Sequence, residues 1–180
     1  MADNKIAIRY AKALIFIANE QNLTDLIYRD MNFIFNTLQQ SNDLLLLTKN
    51  PIVKPNIKIK IFSELFNNRV HQLTFSFLGL LIKKGREKIL RSICLRFFDL
   101  YNEQNNKIEV EIATAKEAKT EIKQLIESKL SEWTGKEIIA KYKVQPDLIG
   151  GFQARFADYI YDASIYQRMQ SLRDELTTLN

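Results

Sequence analysis

The hydrophobic period of this chain changes at Glu103-Gln104-Asn105-Asn106, and the two parts on either side obey different folding rules. Before the change, apolar residues recur every three or four positions, as one face of a helix requires. After it, Lys107–Ala113 alternates, with Ile108, Val110 and Ile112 on one side and Lys107, Glu109 and Glu111 on the other, the two-residue period of a strand. A polar break with helix-ending asparagines at a change of period marks a domain boundary. The sequence therefore predicts an α+β protein, with an all-α six-helix bundle over residues 1–105 and a small mixed α/β domain over residues 106–180. A chain of 180 residues buries enough surface for a core without cross-links.

The first helix is predicted over Lys5–Glu20, where neither Gly nor Pro intervenes. On a helical wheel Lys5, Arg9, Lys12, Asn19 and Glu20 occupy only about 100° of arc, with Phe16 among them, and the apolar arc from Ala13 round to Ile8 covers about 220°. Ala7, Ala11 and Ala18 make a small-residue strip suited to close packing, which leaves Tyr10, Ala13, Leu14 and Ile17 as a second apolar edge. Either this helix is covered on both sides by its own chain, or one edge awaits a partner. A second helix is expected over Thr24–Gln40, and a short third one capped by Ser41-Asn42-Asp43 and ended by Asn50-Pro51. Pro55 suits the first position of a fourth, with Ile57, Ile61, Phe62 and Leu65 inward. The fifth, Val70–Lys84, is again apolar over more than half its circumference and ends at Gly85, where a left-handed residue is wanted. His71 lies at its start on the side of Leu78 and Ile82, which predicts a packed, hydrogen-bonded histidine. The sixth runs from Arg86 to Asn105 with Leu90, Ile93, Phe97, Leu100 and Tyr101 inward.

If the first and fifth helices are neighbours, their surplus apolar edges leave a groove for an amphipathic helix. Tyr10, Ala13, Leu14 and Ile17 would form one wall, Leu73, Phe77 and Leu80 the other, with Lys84 and Arg86 at the mouth to meet acidic residues.

In the C-terminal part a helix is expected over Lys116–Trp133, closed by Thr134-Gly135, followed by a strand carrying Ile138, Ala140, Tyr142 and Val144 on one face. A Pro146-Asp147 break and Gly150-Gly151 then predict a strand-turn-strand unit leading into Phe152, Ala154 and Phe156. The glycines are read as a turn. Neither the G-x-G-x-x-G dinucleotide fingerprint nor a Gly-Lys-Ser/Thr phosphate loop surrounds them. Ser164 is placed to cap a last helix in which Ile165, Met169, Leu172, Leu176 and Leu179 form a four-three seam, expected to support the sheet or pair with another helix.

Catalytic and metal chemistry find little footing. The lone Cys94 sits at an apolar helical position and reads as a reduced core thiol, and one histidine cannot make a metal cluster. No cofactor is expected, and no Ser, His and Asp assemble in a recognisable motif. Met1–Lys5 shows no secretory h-region and no apolar run approaches the length of a membrane span. Residues 1–106 carry 15 Lys and Arg against 9 Asp and Glu, and residues 107–180 carry 11 against 12. A basic half and the run Lys83-Lys84-Gly85-Arg86-Glu87-Lys88 raise nucleic-acid binding as the alternative function. The aromatics, however, fall at buried helical phases, and no RNA-binding motif accompanies them.

Several pieces coincide with a known family. Arg9-Tyr10-Ala11-Lys12-Ala13-Leu14, Asn50-Pro51, Lys84-Gly85-Arg86, and above all Pro146-Asp147-Leu148-Ile149-Gly150-Gly151-Phe152 followed by Asp162-Ala163-Ser164-Ile165 stand in order along essentially the whole chain. In this the sequence resembles the delta subunits of bacterial ATP synthases, whose mitochondrial counterpart is the oligomycin-sensitivity-conferring protein. That family usually carries Gly where Ala163 stands, which bears on whether the turn there needs a positive φ. The resemblance implies a six-helix bundle, a small α/β domain and a non-catalytic stator role. It implies that the N-terminal domain holds N-terminal helices of the alpha subunits and the C-terminal part the end of the b-subunit stalk. It further implies a bacterial protein on the cytoplasmic side of the membrane, attached through partners and binding neither nucleic acid nor metal.

Overall fold

The computed structural model describes residues 2–156 and 159–178, with side chains over 4–156 and 159–174. The chain divides into two compact units, Met1–Tyr101 and Asn102–Asn180. The first holds α1 (Ala2–Glu20), α2 (Thr24–Gln40), α3 (Asn42–Lys49), α4 (Pro55–Phe66), α5 (Gln72–Lys83), a 3-10 turn at Glu87–Ile89 and α6 (Leu90–Gln104), whose last turn spans the division.

Helix starts in the first unit follow local chemistry. The Leu44 amide donates to Ser41 Oγ at 3.2 Å to begin α3, and Pro55 opens α4. His71 is the N-cap of α5, its Nδ1 accepting from the Leu73 amide at 3.2 Å. That corrects the expected core histidine: the ring satisfies the helix end and is only half-buried. Ala7, Ala11 and Ala18 are wholly buried, so neighbouring helices approach α1 closely along this strip. Phe62, Phe66, Leu78, Leu81, Ile93 and Phe97 fill the centre of the same core.

The face of α4 also differs from the expectation. Lys58, Phe62 and Phe66 are buried, and Ile57 is half exposed. An ion pair explains the rotation: Lys58 Nζ meets Glu87 Oε1 at 2.5 Å inside the bundle. Burying a lysine is unfavourable unless its charge finds a partner. A periodicity that counts only apolar residues has no place for such a pair.

The second unit contains β1 (Lys107–Thr114), α7 (Thr120–Thr134), β2 (Glu137–Val144), β3 (Phe152–Phe156), β4 (Tyr159–Asp162) and α8 (Ile165–Thr178). The sheet order is β2-β1-β3-β4, with β1 parallel to β2 and antiparallel to β3. The expected strand-turn-strand at Pro146–Gly151 is therefore corrected. β2 and β3 are not neighbours, because β1 inserts between them, and the true hairpin joins β3 to β4. Val110, Ile112, Ala154 and Phe156 form the core with Ile126 and Leu130 of α7. The opposite face carries charge pairs, Lys107 with Glu137, Lys141 with Glu109 and Lys143 with Glu111. The four-three seam of α8 does not support the sheet, since Met169 and Leu172 are 57% and 59% exposed. Leu176 and Leu179 lie outside the residues whose side chains are described.

Two measurements follow. Lys58→Met leaves Glu87 buried and unpaired, and should cost about 3–5 kcal/mol in urea denaturation. Lys58→Met with Glu87→Leu should recover most of that loss; a double variant as unstable as the single one would show that the pair is not the cause. Separately, a fragment of residues 1–105 is expected to be helical and to melt in one cooperative transition, and a gradual melt would argue against an independently folding bundle.

Candidate functional site

The buried residues of α1, namely Ala7, Ala11, Leu14, Ile15 and Ala18, span only about 100° of the helix. The core thus consumes less than half of the apolar arc. Ala13 and Ile17 remain exposed, as does Phe16 at 62%. α5 meets α1 where the Tyr10 and Phe77 rings stand edge to face, 6.2 Å between centroids.

The end of α5 places a cation beside this contact. The Arg86 amide donates to the Leu81 carbonyl at 2.8 Å and the Gly85 amide to that of Ile82 at 3.0 Å, the paired bonds of a Schellman termination. Gly85 takes the φ of +63° that this turn demands. Arg86 then faces α1 across a cleft of about 390 Å³ lined by Ile6, Arg9, Tyr10, Ala13 and Arg86. Two guanidinium groups beside an aromatic ring and an alanine make a surface for an apolar side chain flanked by carboxylates.

Of the residues expected from sequence, the structure brings Tyr10, Ala13 and Arg86 to this cleft. Leu14 and Phe77 turn into the core, and Leu73 packs half-buried against it. Ile17, Leu80 and Lys84 stay exposed. Ile6, Arg9 and Phe16 were missed. Phe16 stood in plain sight as an aromatic residue within a charged arc, and Arg9 was counted as solvated surface.

In the second unit the motif Pro146–Phe152 with Asp162–Ile165 closes into a clamp. The Ile165 amide donates to the Gly150 carbonyl at 3.0 Å and the Ala163 amide to that of Phe152 at 2.9 Å. Asp162 accepts from the Ser164 amide at 2.8 Å and from Gln153 Nε2 at 3.1 Å. Ser164, wholly buried, caps α8 by accepting from the Gln167 amide at 3.1 Å. A Cβ on Gly151, which has φ +75°, would strike the Ala163 carbonyl oxygen. The glycines therefore serve close backbone approach. Ala163 is not among the positive-φ residues, so alanine fits where the family usually has glycine.

Burial alone would raise the Asp162 pKa, but hydrogen bonds from Ser164 and Gln153 outweigh it and hold the carboxyl below its ordinary value. Burial pushes the Cys94 thiol up to about 12, so it is protonated at neutral pH and not a nucleophile. Among the described residues no group of His, Cys, Asp and Glu could hold a metal, and none of their helices is long and apolar enough to cross a membrane. The basic run after α5 is broken in space, because Glu87 turns inward to Lys58.

These features define a two-unit α+β protein, one unit a helical bundle with an arginine-flanked cleft and the other a small sheet with a clamped last helix. A family model described as ATP synthase delta (OSCP) subunit matches residues 6–176. A protein named ATP synthase subunit delta from Carboxydothermus hydrogenoformans is 34% identical over 93% of this chain and 94% of its own length. Its namesake from Chlorobaculum tepidum is 36% identical over 93% of each. A chain of the Toxoplasma gondii mitochondrial ATP synthase hexamer shares the fold, with a TM-score of 0.74 at 20% identity over 95% of this chain and 97% of that one. The chain belongs to the ATP synthase delta (OSCP) subunit family.

The clamp predicts a pH-dependent contribution from Asp162. Because its folded pKa is lowered, its stabilisation is complete above the ordinary value of 3.8 and is lost as pH falls through the lower folded value. Asp162→Ala should cost about 1–3 kcal/mol at pH 7. The gap between variant and wild type in urea denaturation should close as pH falls through the lowered folded value, and a gap independent of pH would remove the carboxylate from the explanation.

Proposed function

We propose that this protein is a non-catalytic stator subunit of an F-type ATP synthase, tying the catalytic head to the peripheral stalk. The N-terminal unit holds the N-terminal helix of an alpha subunit, and the C-terminal unit holds the end of the b subunit. It lies at the cytoplasmic side of a bacterial membrane and reaches that membrane through its partners. Such a role calls for affinity and stiffness rather than a nucleophile.

The observation that carries the first half of this reading is the α1/α5 cleft. Tyr10, Ala13 and Arg86 meet there, while Phe16 and Ile17 extend the apolar edge of α1 beyond it. An amphipathic helix laid along this edge would bury its apolar stripe there, with Arg9 and Arg86 positioned for carboxylates on its flank. The resemblance to the delta (OSCP) family is what suggests the N-terminal segment of the alpha subunit as the occupant.

Ala13→Asp tests the assignment. Ala13 is exposed, so a charge there stays hydrated in the free protein, and stability should fall by no more than about 1 kcal/mol, most of it the lower helix propensity of Asp. Against a bound helix the same carboxylate is desolvated, and it competes with the carboxylates of the incoming helix for Arg9 and Arg86. Affinity for a peptide of the N-terminal helix of the alpha subunit should then fall by several kcal/mol, on the order of 100-fold or more. Retained binding would move the docking place of that helix elsewhere, and a collapsed melting temperature would make Ala13 part of the core.

A further inference from the structure

Stability does not explain why Lys58 and Glu87 are buried together, because apolar residues of similar volume would hold the same place as well or better. Their side chains are 3% and 10% exposed, and a single contact of 2.5 Å, Nζ to Oε1, joins them. Among the described residues the second carboxylate oxygen, Oε2, is buried and finds no hydrogen-bond partner. What an ion pair supplies and an apolar contact does not is direction. Opposite charges meet at one place, whereas packed aliphatic groups attract without regard to orientation.

Direction matters here because Glu87 follows Arg86. Arg86 lines the cleft against α1, and Lys88 on the other side of Glu87 is exposed. Glu87 is the one carboxylate in the run from Lys83 to Lys88. Turned outward, it would stand beside Arg86 and cancel part of the charge that the cleft offers to an incoming helix. Drawn toward α4 instead, it leaves a lining of Ile6, Arg9, Tyr10, Ala13 and Arg86, with no carboxylate among the described residues. The connection that links the two directions is tight. The Ile89 amide donates to the Arg86 carbonyl at 3.1 Å across the 3-10 turn Glu87–Ile89, and Ile89 and Leu90 are buried behind it. In so short a turn the rotation of one residue sets that of its neighbour.

We propose that Lys58 is a positioning residue for the α1/α5 cleft. By drawing Glu87 into the bundle it holds Arg86 at the cleft and keeps the charge there uncancelled, which makes the cleft selective for a helix flanked by carboxylates. Lys58 is not in the lining and acts only through Glu87 and the turn. The inference rests on the stator reading for the identity of the helix, the N-terminal segment of an alpha subunit.

Titration calorimetry of the full chain with two peptides tests it, with a melting curve recorded for each variant. One peptide is the N-terminal helix of the alpha subunit, and the other is the same helix with every Asp and Glu replaced by Asn and Gln. The wild type should prefer the acidic peptide by about tenfold or more at low salt. Arg86→Gln should reduce that preference about threefold or more. Lys58→Met with Glu87→Leu should reduce it to the same extent while melting near the wild type and binding the neutral peptide as the wild type does. A merely structural role would not give this split, since loosened packing weakens both peptides alike. Lys60→Gln, exposed on the same helix, should leave the preference unchanged. If the double variant fails to fold, Glu87→Gln replaces it, keeping an acceptor for Lys58 without the charge, and the same loss is expected. Full preference retained by the folded variant would overturn the positioning role and leave the docking of the helix intact. Equal binding of both peptides by the wild type would do the same. Binding of neither peptide by the wild type would sink the alpha-subunit half of the stator reading, and this inference with it.

Discussion

One carboxylate fixes the geometry on which the N-terminal cleft depends. Asp30, buried on α2, accepts at Oδ2 from the His71 amide and from Thr74 Oγ1, each at 2.7 Å. These donors belong to the first turn of α5, where helix amides lack partners within the helix. Meeting them from α2 fixes the position and rotation of α5, and each later residue of that helix inherits both. Phe77 consequently meets Tyr10, and the glycine-terminated end carries Arg86 back toward α1. The cleft is therefore shaped by a polar contact at the far end of the helix whose termination carries Arg86 to it. Tyr101 makes a similar tie between α6 and α2, donating to Asp25 at 2.7 Å while stacking on Tyr28. That hydrogen bond to a carboxylate, more than burial, raises its pKa to about 12.

The C-terminal unit solves a different problem. Among the described side chains of its last helix, Ile165, Met169 and Leu172 are all substantially exposed. Its position comes from its first residues, through backbone bonds to Gly150 and Phe152 and the Asp162 and Ser164 caps. Holding a helix by one end frees its length for another use. The cost falls on the loop, where Ile149 takes a φ of +62° that a β-branched residue rarely adopts. Ile149 also lines a cleft of about 460 Å³ beside Ile122 and Leu125 of α7.

The helices, the change of period and the turn glycines were legible because each leaves a local mark. Ser41, Pro55, Gly85, Gly135 and Ser164 act where capping chemistry puts them. What escaped was non-local. Lys58 with Glu87 and Asp30 with His71 are joined across 29 and 41 residues of chain, and no periodicity records such distances. The order of the sheet escaped for the same reason: a Pro-Asp turn followed by Gly-Gly signals reversal of the chain, but not that β1 lies between the strands it connects. The proposed surface left only part of its lining in the sequence. Surplus apolar arc on α1 pointed to Tyr10 and Ala13, yet the helical spacing of α7 did not show that Ile122 and Leu125 stay exposed, because an amphipathic stripe looks alike whether its own sheet or another protein covers it.

The two clefts raise a question of selectivity, since both combine apolar lining with cations. Net charge does not separate them. The basic excess of the first unit and the near balance of the second act over distances that physiological salt screens within about 8 Å. Discrimination must instead come from contact. The first cleft offers a flat ring and a small residue, Tyr10 and Ala13, between guanidinium groups that suit bidentate pairing. The second offers branched aliphatic side chains and Phe152, with ammonium groups that act as point charges. A helix with a bulky knob and paired carboxylates fits the first, and one with a longer aliphatic stripe fits the second. In the stator role proposed above, a difference in lining would matter more than high affinity at either site.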